Sequence, residues 1–483
     1  MTAPLILGTN SIKDTGFDVA NSYFIGADAK TSVTNTTPTN TKIFTISFWI
    51  KIHEFPTSSG DRPIFGYFSD SNNQAYMYLR NDGTLGIFEN ESGNTKIDIR
   101  TTQVLRDPSA FYNIIMAIDT SQGTAANRLK LYINGSQVSS FAAENYPAQD
   151  YASQWNENSL VFHVGGTATN DGNHVKGTFC EFAFIDGQQL DQTSFGEFDT
   201  DTPTVFKPKS LSTLTFGNNG FLLEFKENGS SANSSGIGAD TSGNNRHHSV
   251  TNIVATDQRT DTCTNNFATL NPLFVSGSVT LAEGNLKITA MGDNDHMIST
   301  LFTTMKFYYE VKVSTAHTGA GGGFAAGATH ENAMLTDGFR DGDFDGQERA
   351  DVKWYTNSND GKFQEGIGHN VTTGLTRAST DDIVGIAVDP ANGKIFIHVN
   401  GTYQNSGDPE NGTGFIGGTT GSTGLYSPYF TSHLTAGLVE VNFGNPSFSI
   451  SSGNSDSNSF GNFEFAVPSG YFALCTKNLA EHG

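Results

Sequence analysis

The densest group of chemically capable side chains lies in RDGDFDGQERAD, residues 340–351. Asp341, Asp343 and Asp345 alternate along the chain and are followed by Gly346. That is the opening D-x-D-x-D-G of a calcium loop, in which a curled backbone converges alternate carboxylates on a hard cation that takes oxygen ligands. The rest of the loop departs from the pattern. Val352 occupies the twelfth position, where a bidentate Glu belongs, and Asp351 is the nearest substitute. No helical periodicity flanks it. The reading is a candidate Ca2+ site at Asp341, Asp343 and Asp345, set against a solvated acidic loop.

Other groupings carry less chemistry. HENAM (330–334) lacks the second His of a zinc-protease helix, and no P-loop or Gly-x-Ser-x-Gly elbow occurs. GGGFAA (321–326) fits Gly-x-Gly-x-x-Ala but precedes no helix, so close strand packing explains it better than dinucleotide binding. His247 and His248 read as part of an exposed polar turn without Cys partners. Trp49, Trp155 and Trp354 are the candidates for stacking on sugar rings, though burial is the commoner fate of tryptophan. Cys180, Cys263 and Cys475 are too scattered for a disulfide framework or a zinc cluster and read as reduced core residues.

The elements that must position such residues are strands. The 483 residues include 37 Phe, 15 Tyr and 53 Gly, with few Lys, Arg or Glu, a balance that favours strands joined by polar turns. In IFTISFWIKI (43–52), Phe44, Ile46, Phe48, Ile50 and Ile52 share one face, the period of a half-buried strand. Similar runs, broken by Gly, Asn and Asp, recur along the chain, and no long amphipathic helix interrupts them. The formal net charge of −22 disfavours nucleic acid and anionic membranes as partners. No apolar stretch of about 18 residues is present to span a membrane. MTAPLILGTN lacks a basic, apolar leader pattern, so the expectation is synthesis and folding in a cytoplasm. Triplets such as NGS (134–136) are then chance matches to a glycosylation acceptor.

Two hairpins echo each other across the chain. NIIMAIDTSQGTAANRLKLYING (113–135) and DIVGIAVDPANGKIFIHVNG (382–401) each run an apolar strand to an Asp, then a polar turn, then an alternating strand ending in Asn-Gly. Their turns differ in length and their flanks do not align, so shared architecture explains them better than duplication. The expected fold is all-β, two tandem antiparallel β-sandwiches of jelly-roll type joined by a loop-rich connector. The segments are an N-terminal arm at 1–22, a first sandwich at 23–200, a connector at 201–256 that lends strands to it, and a second sandwich at 257–483.

FTISFWIKI, the first hairpin, FHVGG and CEFAFIDGQQL together resemble a concanavalin A-like, LamG-type lectin/glucanase domain. FYYEVKV, the second hairpin and LYSPYF…GLVEVNFG resemble a SPRY domain. The succession of the two, with TDTCTNNFATLNPL between them and VPSGYFALCTKNL at the end, is similar to tail-fibre-like or appendage proteins of tailed, notably marine, bacterial viruses. Such relatives usually carry Pro where this chain has Cys263. The resemblance implies a virion protein that binds neighbouring virion proteins, host-surface polysaccharide or both, assembled as a homo-oligomer, a trimer being favoured. It implies no enzymatic activity: EFAFID (181–186) and EVKV (310–313) do not supply the Glu-x-Asp-x-x-Glu run of laminarinase-type relatives. A capsid-decorating or connector protein is the alternative, and a polysaccharide hydrolase the remote one. Within the sandwiches, loops are the expected carriers of recognition.

Overall fold

A computed structural model describes residues 11–26, 28–56, 60–168, 174–275, 277–292, 295–316, 323–331, 352–355, 361–365, 369–418, 424–433 and 438–483. The chain forms two compact units, Thr15–Thr264 and Asn265–Gly483, the described residues of Met1–Asp14 grouping with the latter. Each unit is an antiparallel two-sheet sandwich of jelly-roll type, so the fold is all-β. The α-helices among the described residues are short, Ala125–Arg128 and Thr476–His482.

In the first unit, sheet one runs in spatial order Ser136–Gln137, Leu129–Ile133, Phe111–Asp119, Ile43–Glu54, Lys176–Asp186, Ser22–Ile25 and Gln258–Arg259. Phe221–Leu223 also pairs with Lys176–Asp186. Sheet two runs Phe141–Asn145, Asn94–Val104, Thr84–Glu91, Asn73–Leu79, Arg62–Asp70, Val161–Val164, Lys30–Thr34 and Ser249–Thr251. The period-two patterns decide what lies between the sheets. Phe44, Ile46, Phe48, Ile50 and Ile52 are all fully buried there, against Met77, Leu79, Ile87 and Ile99 of sheet two. The second unit repeats the plan with a seven-stranded sheet, Leu270–Val275 to His369–Leu375, and an eight-stranded one centred on Phe307–Thr315 and Ile383–Asp389.

The Asn-Gly echo has one physical explanation in both units. Asn134 and Asn400 take left-handed backbone, φ 48° and 47°, and the following Gly135 and Gly401 do likewise. Two successive positive φ values make the tight turn whose twist suits a hairpin. Each Asn also extends the ladder by one rung. Its N–H donates to the carbonyl of Asn113 or Ile383, and its Oδ1 accepts from that same residue's N–H, every bond 2.9 Å. At the opposite end of each hairpin an Asp closes the turn. Asp119 accepts from Ser121 and Gln122, and Asp389 from Asn392. The recurrent motif is therefore a structural solution.

In both units, chain beyond the sandwich strands seals the outer face of one sheet. Ile115, Tyr132, Ala183 and Ile185 point outward from sheet one and are covered by Phe195, Leu211, Phe216 and Leu222. Trp49, on the face opposite Phe48, is likewise covered, its ring 6.0 Å from that of Phe206. In the second unit Tyr308, Ala387 and Phe396 lie beneath Phe463, Tyr471 and Cys475.

Two buried carboxylates organise the first unit. Asp186, at the end of Lys176–Asp186, accepts from Thr39 N at 2.6 Å, Asn40 N at 3.1 Å, Asn156 Nδ2 at 2.7 Å and Asn219 N at 3.0 Å. Glu89 follows Leu85 and Ile87 on the core face of its strand, where alternation calls for an apolar residue. It accepts from Tyr151 Oη, Ser153 Oγ and Gln154 N, each at 2.7 Å, and so docks the segment that carries the fully buried Trp155. Burial pushes its carboxyl up to about 7 despite those three donors. Because the folded value exceeds the unfolded one, folding favours the protonated form. Its contribution is fully present below about pH 4.5 and is lost as pH rises through about 7, an effect of about 3 kcal/mol. Glu89→Gln should therefore remove about that much of the fall in unfolding free energy between pH 5 and pH 8, measured by urea titration at each pH. Asn134→Ala, which loses a ladder bond and places Cβ in left-handed backbone, should destabilise the first unit by about 2 kcal/mol in the same assay.

Candidate binding face on the open sheet

With the outer face of sheet one covered, the outer face of sheet two is where side chains remain available. Its composition follows from alternation. Ala75, Met77 and Leu79 face the core, so Tyr76 and Tyr78 face out; Leu85 and Ile87 face in, so Gly86 and Phe88 face out. In the next strand Ile97 and Ile99 face in while Asp98 and Arg100 face out. Strand register then aligns these residues across the sheet. One row runs Ser32, His163, Gly66, Tyr76, Phe88, Asp98, and the next runs Pro63, Tyr78, Gly86, Arg100.

The aromatic residues of the two rows form one cluster. Tyr76 lies 5.5 Å from Tyr78 and 5.6 Å from Phe88, centroid to centroid, with all rings tilted. Tyr78 leans across the neighbouring strand, and only a glycine beneath it permits this. A Cβ on Gly86 would lie 2.0 Å from Tyr78 Cζ. Tyr76 and Phe88 stay half-buried, whereas Tyr78 is 6% exposed and acts as the floor.

Charged groups of both signs surround the rings. Asp98 and Arg100 flank them on one side, and Arg80 and Asp61 lie at the strand ends beside Tyr78. Among the described residues, no hydrogen bond or ion pair engages the side chains of Asp61, Arg80, Asp98 or Arg100, nor the hydroxyls of Tyr76 and Tyr78. Desolvation raises the Asp61 carboxyl against the opposing pull of Arg80 and Arg100. Desolvation, then Asp61 and Asp98, pushes Tyr76 up to about 12, so its phenol is a neutral hydrogen-bond donor at pH 7. Further along the row, burial and then the charge of Lys30 push His163 down to about 4, leaving a neutral imidazole. The face thus offers flat apolar rings beside uncommitted donors and acceptors. That combination suits a ligand with one apolar face and a rim of hydroxyls.

The residues singled out from sequence fall elsewhere. Asp341, Asp343 and Asp345 lie outside the described residues, as does the side chain of Trp354. Trp155 and Trp49 are buried. His248 is not in an exposed turn: it is fully buried, bonded to Thr31 Oγ1 at 2.9 Å, with its ring 4.4 Å from that of Phe221. The reason is that Ser249–Thr251 pairs with Lys30–Thr34, which draws the preceding residue inward. Tyr76, Tyr78 and Phe88 were missed, although QAYMYLRNDGTLGIF already places aromatic residues on the face opposite the aliphatic ones.

Among known proteins, a family model matches the first unit. Residues 26–192 match the sequence model of the concanavalin A-like lectin/glucanases superfamily, so the first unit carries that lectin-like fold. No curated protein matches the chain. Similar solved structures include a putative carbohydrate binding protein from Bacteroides ovatus, at 12% identity, covering 50% of this chain and 60% of that one, TM-score 0.32. Domains LG4-5 of the mouse laminin alpha1 chain are 10% identical over 89% of this chain and 91% of theirs, TM-score 0.29. The SPRY domain of human HERC1 is 11% identical over 36% of this chain and 96% of its own, TM-score 0.26.

Gly86→Ala tests the floor directly. It should displace the Tyr78 ring, seen as a change in the near-ultraviolet tyrosine circular dichroism, and lower stability by about 2 kcal/mol through overpacking. Unchanged spectra would mean that the ring does not rest on Gly86.

Proposed function

We propose that this chain is a non-enzymatic recognition protein that binds polysaccharide through the outer face of sheet two. The observation that carries this reading is the Tyr76–Tyr78–Phe88 cluster, with Asp61, Arg80, Asp98 and Arg100 uncommitted around it. The lectin-like family match over residues 26–192 supports it. Carboxylates and guanidinium groups occur there in comparable number, on a chain of net charge −22, so a neutral sugar is the better ligand than a polyanion.

The sequence resemblance to tail-fibre-like and appendage proteins supports a role for this activity on the particle of a tailed bacterial virus. On that reading the chain is made in the host cytoplasm, assembles as a homo-oligomer, a trimer being favoured, and attaches the virion to host-surface glycan. The second, SPRY-like sandwich then serves neighbouring virion proteins. Leu273 and Val275, 48% and 38% exposed on the edge strand Leu270–Val275, favour such a protein contact, and a purely decorating role would rest on it. Asp61 and Asp98, two carboxylates beside the rings, are what a hydrolytic reading would rest on.

A panel of neutral and acidic bacterial polysaccharides, titrated calorimetrically against the full chain, decides among these. Binding of a neutral glycan without release of reducing sugar is the expected result. Tyr76→Ala and Arg100→Ala should each weaken it by about tenfold or more while leaving the melting temperature nearly unchanged. Sugar release abolished by Asp61→Asn would establish the hydrolase instead. Retention of full affinity in Tyr76→Ala would move the site off this face.

A further inference from the structure

Asn-Gly dipeptides occur in the chain at Asn134, Asn219, Asn228, Asn392, Asn400 and Asn411. Each carries a latent reaction. The side-chain carbonyl carbon of an asparagine can be brought against the backbone nitrogen of the next residue, and a glycine there has no Cβ to hinder the approach. Whether the two atoms meet depends on what holds the side chain. The fold treats these residues differently.

All but one of the side chains are fastened. Asn134 Oδ1 accepts from Asn113 N at 2.9 Å within its hairpin turn. Asn400 Oδ1 accepts likewise from Ile383 N at 2.9 Å, and its Nδ2 donates to Asp382 at 2.7 Å. Asn219 is fully buried, with its amide bonded to Thr36 and Asn156. Asn392 and Asn411 each donate through Nδ2 to an Asp earlier in the same turn, Asp389 at 2.9 Å and Asp408 at 2.7 Å. Swinging any of these amides onto the following nitrogen first breaks its hydrogen bonds. Asn228 is the exception. It is exposed, and among the described residues no hydrogen bond engages its side chain. Lys226, Glu227 and the run Ser230–Ser235 around it are exposed as well. Gly229 is tied by one isolated bridge to Gly236, its carbonyl accepting from Ile237 N at 2.8 Å. A single bridge in an exposed run opens at little cost, because few buried contacts are lost with it.

We infer that Asn228 is a modification site, converted without an enzyme to aspartate and isoaspartate while the other Asn-Gly pairs of the folded chain stay intact. The Gly229 backbone nitrogen loses its proton to solvent base and attacks Asn228 Cγ. A bond forms between that nitrogen and Cγ, the bond from Cγ to Nδ2 breaks, and Nδ2 leaves as ammonia. The product is a five-membered cyclic imide. Water then adds to one of the two imide carbonyls. Opening the bond from Cγ to the Gly229 nitrogen gives aspartate. Opening the bond from the Asn228 backbone carbonyl carbon to that nitrogen gives isoaspartate, in which the main chain runs through Cγ. In sum one water is consumed and one ammonia released, and nothing is oxidised or reduced. Because the attacking nitrogen must first be deprotonated, the reaction quickens as pH rises. Its product puts a carboxylate beside Lys226 and Glu227, at an exposed tip where a small change of backbone is tolerated.

The test incubates the full chain for weeks at pH 8, folded in one sample and unfolded in guanidinium chloride in another. Each is then digested, and the Asn-Gly peptides are followed by mass and by labelling with protein isoaspartate methyltransferase. In the folded sample the peptide carrying residue 228 should split into aspartyl and isoaspartyl forms, with the other Asn-Gly peptides unchanged. In the unfolded sample all of them should react, which shows that the fold makes the selection. Asn228→Gln should abolish isoaspartyl labelling of the folded chain and leave its melting temperature unchanged. An intact residue-228 peptide from the folded sample would overturn the assignment, whatever the unfolded one does. So would reaction at Asn134, Asn219, Asn392, Asn400 or Asn411 as fast as at Asn228 in the folded chain, or a rate at Asn228 that does not rise with pH.

Discussion

The junction between the two sheets of the first sandwich is gathered around one buried carboxylate, Asp186. Asp186 ends the central strand of sheet one, and four donors converge on it from the 39–40 turn, Asn156 and Asn219. A carboxylate removed from water is costly unless its lone pairs are satisfied, and here peptide and amide N–H groups satisfy them. The 39–40 turn carries the chain from Lys30–Thr34 of sheet two to Ile43–Glu54 of sheet one, so one anion fixes how the sheets are joined. Asn219 completes the knot by accepting from Thr36 N at 2.8 Å and donating to Asn156 Oδ1 at 2.9 Å. Only with the sheets so joined does the connector come to lie over sheet one and leave sheet two open.

The same device recurs wherever non-strand chain must be held to a sheet. Glu89 gathers Tyr151, Ser153 and Gln154. In the second unit, buried Glu310 accepts from Glu464 N at 3.0 Å and Phe465 N at 2.8 Å, which docks the C-terminal segment. Tyr308 links that carboxylate to His398, its hydroxyl 3.1 Å from Glu310 and 2.8 Å from His398 Nε2. Burial pushes His398 down to about 4 and raises Glu310, so a neutral imidazole stands at one end of the relay. Strands form from pattern, whereas loops are fastened by individual polar side chains in apolar surroundings. Such contacts matter because an unmet buried polar group costs more than a met one gains.

The open face and the covered face divide the labour of the first unit. Covering sheet one places Trp49, Phe206, Cys180 and Cys263 in a dry cluster. Leaving sheet two open places Tyr76, Phe88, Asp98 and Arg100 at a water boundary, where they stay half-buried. The aromatic residues left at that boundary therefore lie on a sheet face and not on the rim loops that a sandwich first brings to mind.

The all-β class, the core strands and the Asn-Gly turns were legible in the sequence, because each depends on neighbours within a few residues. Period-two alternation assigns Phe44 through Ile52 to the core without reference to any other segment. A left-handed Asn-Gly pair needs only its own turn. Alternation places Glu89 inward too, but what makes its burial tolerable lay out of reach, because its three donors are some sixty residues away. His248 failed likewise, drawn inside by a strand pairing of long range. The candidate face needed strand register, which sets Tyr76 beside Phe88 and Gly86 beside Arg100. The sequence by itself determined which side chains face each way along regular strands such as Ile43–Glu54 and Asn73–Leu79; tertiary structure alone decided which outward face would be covered. The first is a matter of local backbone geometry, and the second of where a connector can satisfy its buried polar groups.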